Sequence, residues 1–190
     1  MSFIEMLVVL AVVPIITITI ANSVLLFYRA NTSSLEEAYQ IQSGQKGVEN
    51  LVHDLREATY ADDGSYPIAS IASSSITFYA DVDRDFQVER VHYELNKNLL
   101  TRTLTNATGT PPTYTANIST STVSEYVRNF ADNVSIFTYY DSSGVAVTDT
   151  SRVADVTSVT VNIIVDVTQL HLPGEFTLRS SATFRNLRPQ

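Results

Sequence analysis

Apolar positions follow three successive patterns along this chain. Aliphatic residues fill residues 6–20 almost without a break, and the apolar run resumes at residues 24–28. From residue 35 onward, apolar residues recur at spacings of three and four, as on one face of a helix. Beyond Pro67, short alternating runs bounded by turn residues indicate strands. The pattern predicts an α+β fold, in which a long N-terminal helix precedes an antiparallel β-sheet head.

The predicted helix has two halves of different character. Residues 1–29 form a hydrophobic half, and residues 30–190 form the head domain, which includes an amphipathic half ending near residue 61. The apolar face of that half comprises Val48, Leu51, Val52, Leu55 and Ala58. The residues predicted to point away from this face are Glu49, Asn50, Asp54, Arg56 and Glu57. Gly44 and Gly47 weaken the helix locally and allow close packing or bending.

The head is predicted to consist mainly of short strands. They are expected at residues 75–80, 88–95, 99–104, 134–140, 156–167 and 175–185. Asn96, Lys97 and Asn98 indicate a hairpin turn between the second and third of these strands. Residues 106–124 are rich in Thr, Ser and Pro and predict a surface loop. The simplest arrangement is one antiparallel sheet packed on the helix.

Composition limits the chemistry available to this chain. The net charge is −8 and no run of Lys or Arg occurs, so the footprint of nucleic-acid binding is missing. The absence of cysteine excludes disulfides and thiol catalysis. His53, His92 and His171 lack metal-ligand spacing, and neither a phosphate-binding loop nor a nucleophile elbow is present. We therefore expect a protein that is not an enzyme.

Glu5 is anomalous in the hydrophobic half. A signal peptide would need a basic start, but the first cation is Arg29. A simple membrane anchor fits the length of about 20 apolar residues, yet a carboxylate at the end of a lipid-embedded helix is costly and usually has a partner. The alternative is that Glu5 lies at the membrane interface, where its charge suits the helix dipole.

The first thirteen residues, Met1-Ser2-Phe3-Ile4-Glu5 followed by eight apolar residues, resemble the mature N-terminus of type IV pilins and type II secretion pseudopilins. The resemblance implies that Glu5 pairs with the N-terminal amine of a neighbouring subunit. Met1 is then either the processed N-terminus, the explanation we favour because it puts Glu5 in register, or the residue of a start codon. It also implies a filament core. Its expected members are Phe3, Ile4, Leu7, Val8 and Leu10.

Pro14 is expected to disturb the helix. Proline removes one helical hydrogen bond and clashes with the preceding turn, and the β-branched residues that follow have poor helix propensity. These features predict a kink or an unwound stretch at residues 14–21. Pilins resembling this chain melt a similar segment on entering the filament, so Pro14 joins Met1 and Glu5 as an assembly residue.

More narrowly, the chain resembles J-type minor pseudopilins and W-type minor pilins. The features that carry this resemblance are residues 51–58, 93–95, 100–102, 137–144 and 185–187. They imply a homo-oligomeric surface filament containing other pilins, with a precursor held in the cytoplasmic membrane beside its assembly machinery. The subunit would form the shaft, or prime or tip it as a minor component. The alternative is a membrane-anchored surface binding domain that never polymerises.

An acidic segment is the only metal candidate in the sequence. Asp81, Asp83 and Asp85 alternate like the first three ligands of a calcium loop, and Glu89 could add a further oxygen. Phe86 replaces the glycine that an EF-hand needs, and His92 stands where its closing glutamate belongs. The segment is therefore not an EF-hand. It is either a calcium-binding turn or a solvated acidic turn in which Arg84 moderates the repulsion.

Overall fold

The computed structural model describes residues 2–166 and 175–184, and the side chains of residues 33–37 and 40 also lie outside the description. Met1, Val167, His171 and residues 185–187, all used in the sequence predictions, are outside the described residues. The chain divides into two compact units, Met1–Tyr39 and Gln40–Gln190. The fold is α+β, as predicted.

Helix α1 spans Phe3–Arg56 and contributes to both units. It remains helical through residues 14–21, so the chain by itself shows no unwound stretch there. Melting on assembly stays a prediction. The helix ends at Arg56, short of residue 61, because residues 57–65 adopt turns and one isolated bridge, between Ala58 and Ala80.

Nine strands among the described residues of the second unit form two antiparallel sheets. The first is a five-stranded meander in the order β1-β2-β3-β4-β5, and the second has the order β7-β6-β8-β9. The first sheet comprises β1 (Ile68–Ile71), β2 (Ser75–Ala80), β3 (Glu89–Asn96), β4 (Leu99–Thr105) and β5 (Ile118–Ser124). The second comprises β6 (Phe137–Tyr140), β7 (Ala146–Val147), β8 (Ser158–Asp166) and β9 (Glu175–Thr183).

Two features of the head differ from the sequence prediction. The prediction of a single sheet is wrong, because the described strands separate into two hydrogen-bonded groups. The loop predicted at residues 106–124 contains strand β5 at its end. Its Ser and Thr residues are mostly exposed and lack apolar alternation, but their backbone pairs with β4 from Ile118 to Ser124. Backbone pairing with an existing edge, which side-chain patterns do not encode, forms this strand. The hairpin at Lys97 is confirmed, with Lys97 at φ 56°.

One apolar core joins the amphipathic end of α1 to both sheets. Leu51 and Leu55 are fully buried, together with Phe78 of β2, Tyr93 of β3 and Ile163 of β8. Strand β8 alternates buried and half-buried residues along its whole length, which is the period expected of a strand with one face in the core. All five apolar positions predicted for the helix end are buried: Val48, Leu51, Val52, Leu55 and Ala58.

The two helix glycines lie where α1 packs directly against residues of the strands. A Cβ added to Gly44 would lie 2.9 Å from Leu178 Cδ1 and 3.0 Å from Val165 Cγ2. A Cβ added to Gly47 would lie 3.0 Å from the carbonyl oxygen of Val123. Of the two roles predicted from sequence, close packing and bending, these distances support close packing.

The prediction that Asp54 points away from the core is wrong, because the residue is buried. Only 5% of the residue is exposed. Its Oδ2 accepts a 2.7 Å hydrogen bond from the hydroxyl of Tyr93 on β3 and lies 2.7 Å from Arg102 Nη2 on β4. Helical periodicity placed Asp54 outside the apolar face, but its partners on two strands offset the free-energy cost of burying the carboxylate.

Candidate functional site

Residues 3–32 of the first unit form an apolar helix whose side chains are exposed. Within α1, Phe3–Thr32 is long and apolar enough to cross a membrane, and its most apolar 18-residue window has a mean hydropathy of 2.6 and is 0% buried. A signal sequence near an N-terminus meets the same criterion. Every residue predicted for a filament core is exposed: Phe3, Ile4, Leu7, Val8 and Leu10. A continuous apolar surface of this kind is characteristic of contact with lipid or with other proteins.

The hydroxyl groups of Thr17, Thr19 and Ser23 in this segment are satisfied within the helix. Thr17 and Thr19 each donate a 2.8 Å hydrogen bond to the carbonyl four residues earlier, and Ser23 does the same at 2.9 Å. Such bonds remove the cost of placing a hydroxyl in an apolar environment. The three polar residues therefore do not disqualify the segment from a membrane or a filament core.

Glu5 lies in the first helical turn and closes a capping arrangement. Its Oε2 accepts a 2.8 Å hydrogen bond from the backbone N–H of Ser2, while the N–H of Glu5 donates to the Ser2 carbonyl at 3.0 Å. This is the glutamate half of a capping box, in which the side chain at the third helical position satisfies the N-cap N–H. The Ser-x-x-Glu spacing of residues 2–5 is the sequence signal that could have predicted it.

The capping bond gives Glu5 a local partner in the single chain. Its side chain is nevertheless exposed, and a carboxylate has about four lone-pair sites. Glu5 can therefore accept a cation from outside the chain without giving up the bond to Ser2. Both roles considered for Glu5, a charge that suits the helix dipole and pairing with another subunit, are compatible with this geometry.

A second cluster of candidate residues lies in the loop between β2 and β3. Carboxylate oxygens of Asp81, Asp83 and Glu89 all lie within 4.8 Å of one another. Asp85, which the alternating pattern placed with them, is not part of this group. Its Oδ1 accepts a 2.8 Å hydrogen bond from the N–H of Gln87 and stabilises the turn. The structure thus brings together two of the three aspartates grouped by the alternating pattern with Glu89, which the sequence offered as a further oxygen.

Glu89 is the most constrained member of the cluster. Only 1% of the residue is exposed. Its Oε2 accepts a 2.9 Å hydrogen bond from the N–H of Val82, whereas Oε1 is buried and has no hydrogen-bond partner among the described residues. Burial raises the pKa of Glu89 to about 7, the Val82 N–H opposes this increase, and the carboxylates of Asp83, Asp85 and Asp81 add to it.

The loop backbone holds the acidic residues in an irregular turn. Arg84 and Phe86 adopt positive φ values of 62° and 70°, which is uncommon for residues with a Cβ. Arg84 is exposed and forms no ion pair within 4.0 Å in the described part of the chain. Among the described residues, Arg84 therefore does not reduce the repulsion between the carboxylates through a direct contact, which is the role expected from the sequence.

No protein-family model matches this chain, and no curated protein is similar enough in sequence to match it. The resemblance to pilins therefore rests on the residues themselves. What the structure adds is a membrane-length apolar helix followed by antiparallel sheets, which is compatible with a pilin-like fold.

Proposed function

We propose that this chain is a structural subunit of a type IV pilus or pilus-like filament, and that it polymerises through its N-terminal helix. The observation that carries the proposal is Glu5, the one acidic side chain in the Phe3–Thr32 segment, exposed in the first turn of the helix. In this proposal Glu5 pairs with the N-terminal amine of a neighbouring subunit when the helices pack together in the filament core.

Charge balance supports this pairing. A carboxylate and an ammonium buried in an apolar core are stable only together, because each alone would lose its hydration without compensation. Removing one partner of a buried pair typically costs about 3–5 kcal/mol. That cost would recur at every subunit contact, so a filament is far more sensitive to loss of Glu5 than a single anchored chain would be.

The proposed location follows from the same helix. Before assembly, the segment would hold the precursor in the cytoplasmic membrane, and after assembly it would lie in the core of a filament on the cell surface. Other pilins and the assembly machinery are the expected partners. A low-abundance minor pilin or pseudopilin uses the same helix, so subunit abundance in purified filaments, measured by mass spectrometry, distinguishes a priming or tip subunit from a shaft subunit.

A membrane-anchored surface domain that never polymerises is the second candidate. The 2.8 Å bond from the Ser2 N–H to Glu5 favours it, because helix capping gives Glu5 a role that needs no second subunit. The two candidates differ in what they predict for filament assembly and agree in what they predict for membrane insertion.

Replacement of Glu5 separates the two candidates. In cells that produce the chain with its assembly machinery, Glu5→Ala is expected to abolish filaments in the sheared surface fraction and in negative-stain micrographs, while the amount of chain in the membrane stays unchanged. Glu49→Ala, an exposed glutamate of the same helix, is the matched control and should assemble normally. Normal filaments from the Glu5→Ala chain would refute the pairing, and no filaments from the unaltered chain would favour the anchored domain.

A further inference from the structure

The loop between β2 and β3 contains a buried oxygen atom that nothing in the described chain satisfies. Glu89 begins β3 and is 99% buried, yet its Oε1 has no hydrogen-bond partner among the described residues. Buried polar atoms in folded proteins nearly always have a partner, which can be protein, water or an ion. Oδ1 of Asp81 is likewise buried and lacks a partner in the described part of the chain.

We propose that Asp81, Asp83 and Glu89 bind a calcium ion. Their oxygens lie within 4.8 Å of one another, which is the spacing that a common central ion requires. Oxygens bound to Ca²⁺ lie 2.3–2.6 Å from it, so any two of them are at most about 5 Å apart. Each of the three residues supplies a carboxylate oxygen, the ligand type that hard cations prefer.

The arrangement favours calcium over magnesium. Magnesium needs near-ideal octahedral geometry at about 2.0–2.1 Å and usually binds through one or two carboxylates while keeping several waters, whereas calcium accepts six to eight oxygen ligands in flexible geometry. Asp83 is exposed and Asp81 is half-buried, so water has access to complete the coordination from the solvent side. The irregular turn formed by Arg84 and Phe86 suits the more tolerant ion.

Calcium at this position would tie the loop to the sheet. Asp81 and Asp83 follow β2, whereas Glu89 pairs with Ala80 at the start of β3. One ion held by all three would join both ends of the loop and neutralise most of the charge of three adjacent carboxylates. Asp85 would keep its separate bond to the Gln87 N–H.

Calcium titration of the full chain in a neutral detergent tests the site. Isothermal titration at pH 7.5 should give one site per chain with a dissociation constant of about 0.1–1 mM, the range of extracellular calcium modules. Asp83→Asn should weaken binding at least about tenfold, and because Asp83 is exposed the variant should fold normally. Asp85→Asn changes the charge of the same loop equally, lies outside the cluster, and should bind within about twofold of the unaltered chain.

Four results would overturn the proposal. The first is no binding heat and no calcium-dependent rise in melting temperature at 10 mM calcium. The second is equal weakening by Asp83→Asn and Asp85→Asn, which would indicate a diffuse counterion effect of the acidic loop. The third is magnesium binding as tight as calcium binding. Glu89→Gln should lose the calcium-dependent rise in melting temperature, and its retention would also contradict the assignment.

Discussion

The buried carboxylate of Asp54 provides the sharpest test of how the head is held together. Asp54 is the point where helix α1, β3 and β4 meet, because its Oδ2 contacts both the hydroxyl of Tyr93 and the guanidinium of Arg102 at 2.7 Å. Burial raises the pKa of Asp54, partly opposed by the hydrogen bond from Tyr93 and the charge of Arg102. Burial also raises the pKa of Tyr93, so its hydroxyl stays protonated and remains a donor.

We expect Asp54→Ala to lower the free energy of unfolding by about 3–5 kcal/mol, the usual cost of removing one partner from a buried ion pair. The fully buried Tyr93 hydroxyl would lose its acceptor, which alone costs about 1–3 kcal/mol. Arg102, whose side chain is 23% exposed, would lose its charge partner. A loss of this size is a large share of the 5–15 kcal/mol that stabilises a typical domain.

A double-mutant cycle separates the pair from the effects of each side chain. Urea unfolding of the full chain in detergent can be followed by tyrosine near-ultraviolet circular dichroism, since the chain contains ten tyrosines and no tryptophan. Combining Asp54→Ala with Arg102→Ala should cost at least about 1 kcal/mol less than the sum of the two single changes. Glu57→Ala is the control, because this exposed neighbour should change stability by less than about 0.5 kcal/mol.

Two outcomes would refute this reasoning. If the Asp54 and Arg102 changes are additive within about 0.5 kcal/mol, the two side chains are not energetically coupled despite their short distance. If Asp54→Ala costs less than about 1 kcal/mol, the carboxylate is not a connection between the helix and the strands, and the core apolar residues alone hold α1 in place.

Three further predictions concern other parts of the chain. Gly47→Ala should destabilise the head by about 1 kcal/mol or more, because the added Cβ would lie 3.0 Å from the Val123 carbonyl oxygen. This overpacking outweighs the gain in helix propensity. A variant that is more stable in urea unfolding would contradict this close approach. In calcium-free buffer the folded state should lose about 3 kcal/mol of stability through Glu89 as the pH rises from about 4.5 to about 7.5. The pKa of Glu89 rises from 4.5 in the unfolded chain to about 7 on folding, so in this pH range the folded state binds a proton that the unfolded state has lost. Glu89→Gln should remove that part of the pH dependence, and an unchanged slope would show that Glu89 is not buried. Pro14→Ala restores a helical hydrogen bond worth up to about 3 kcal/mol, so if residues 14–21 unwind during assembly, filament yield by microscopy should fall; an unchanged yield would argue that the helix stays intact.

The apolar faces of this chain could be predicted from sequence because they depend on local periodicity. The spacing of Val48, Leu51 and Leu55 identified the buried helix face, and the alternation in β3 and β8 identified the strands. The nearly continuous aliphatic run identified the membrane-length segment, since length and composition alone decide that property.

The polar positions were harder to predict because their environment comes from residues distant in sequence. Asp54 has the helical phase of an exposed residue, and only Tyr93 and Arg102, 39 and 48 positions further along, make it a buried one. The acidic loop shows the same limit. Alternation grouped Asp85 with Asp81 and Asp83, but the turn directs Asp85 to the Gln87 N–H and the start of β3 brings Glu89 into the cluster.

The sequence by itself determined the apolar helix, the lone carboxylate at Glu5 and the α+β class, because each is encoded in neighbouring residues. Only the tertiary structure decided that the strands form two sheets, that Asp54 is buried, and that Asp81, Asp83 and Glu89 converge. Those features depend on which strand edges pair and on which turn the backbone takes. Pairing of this kind is a property of the whole chain, and residue spacing does not record it.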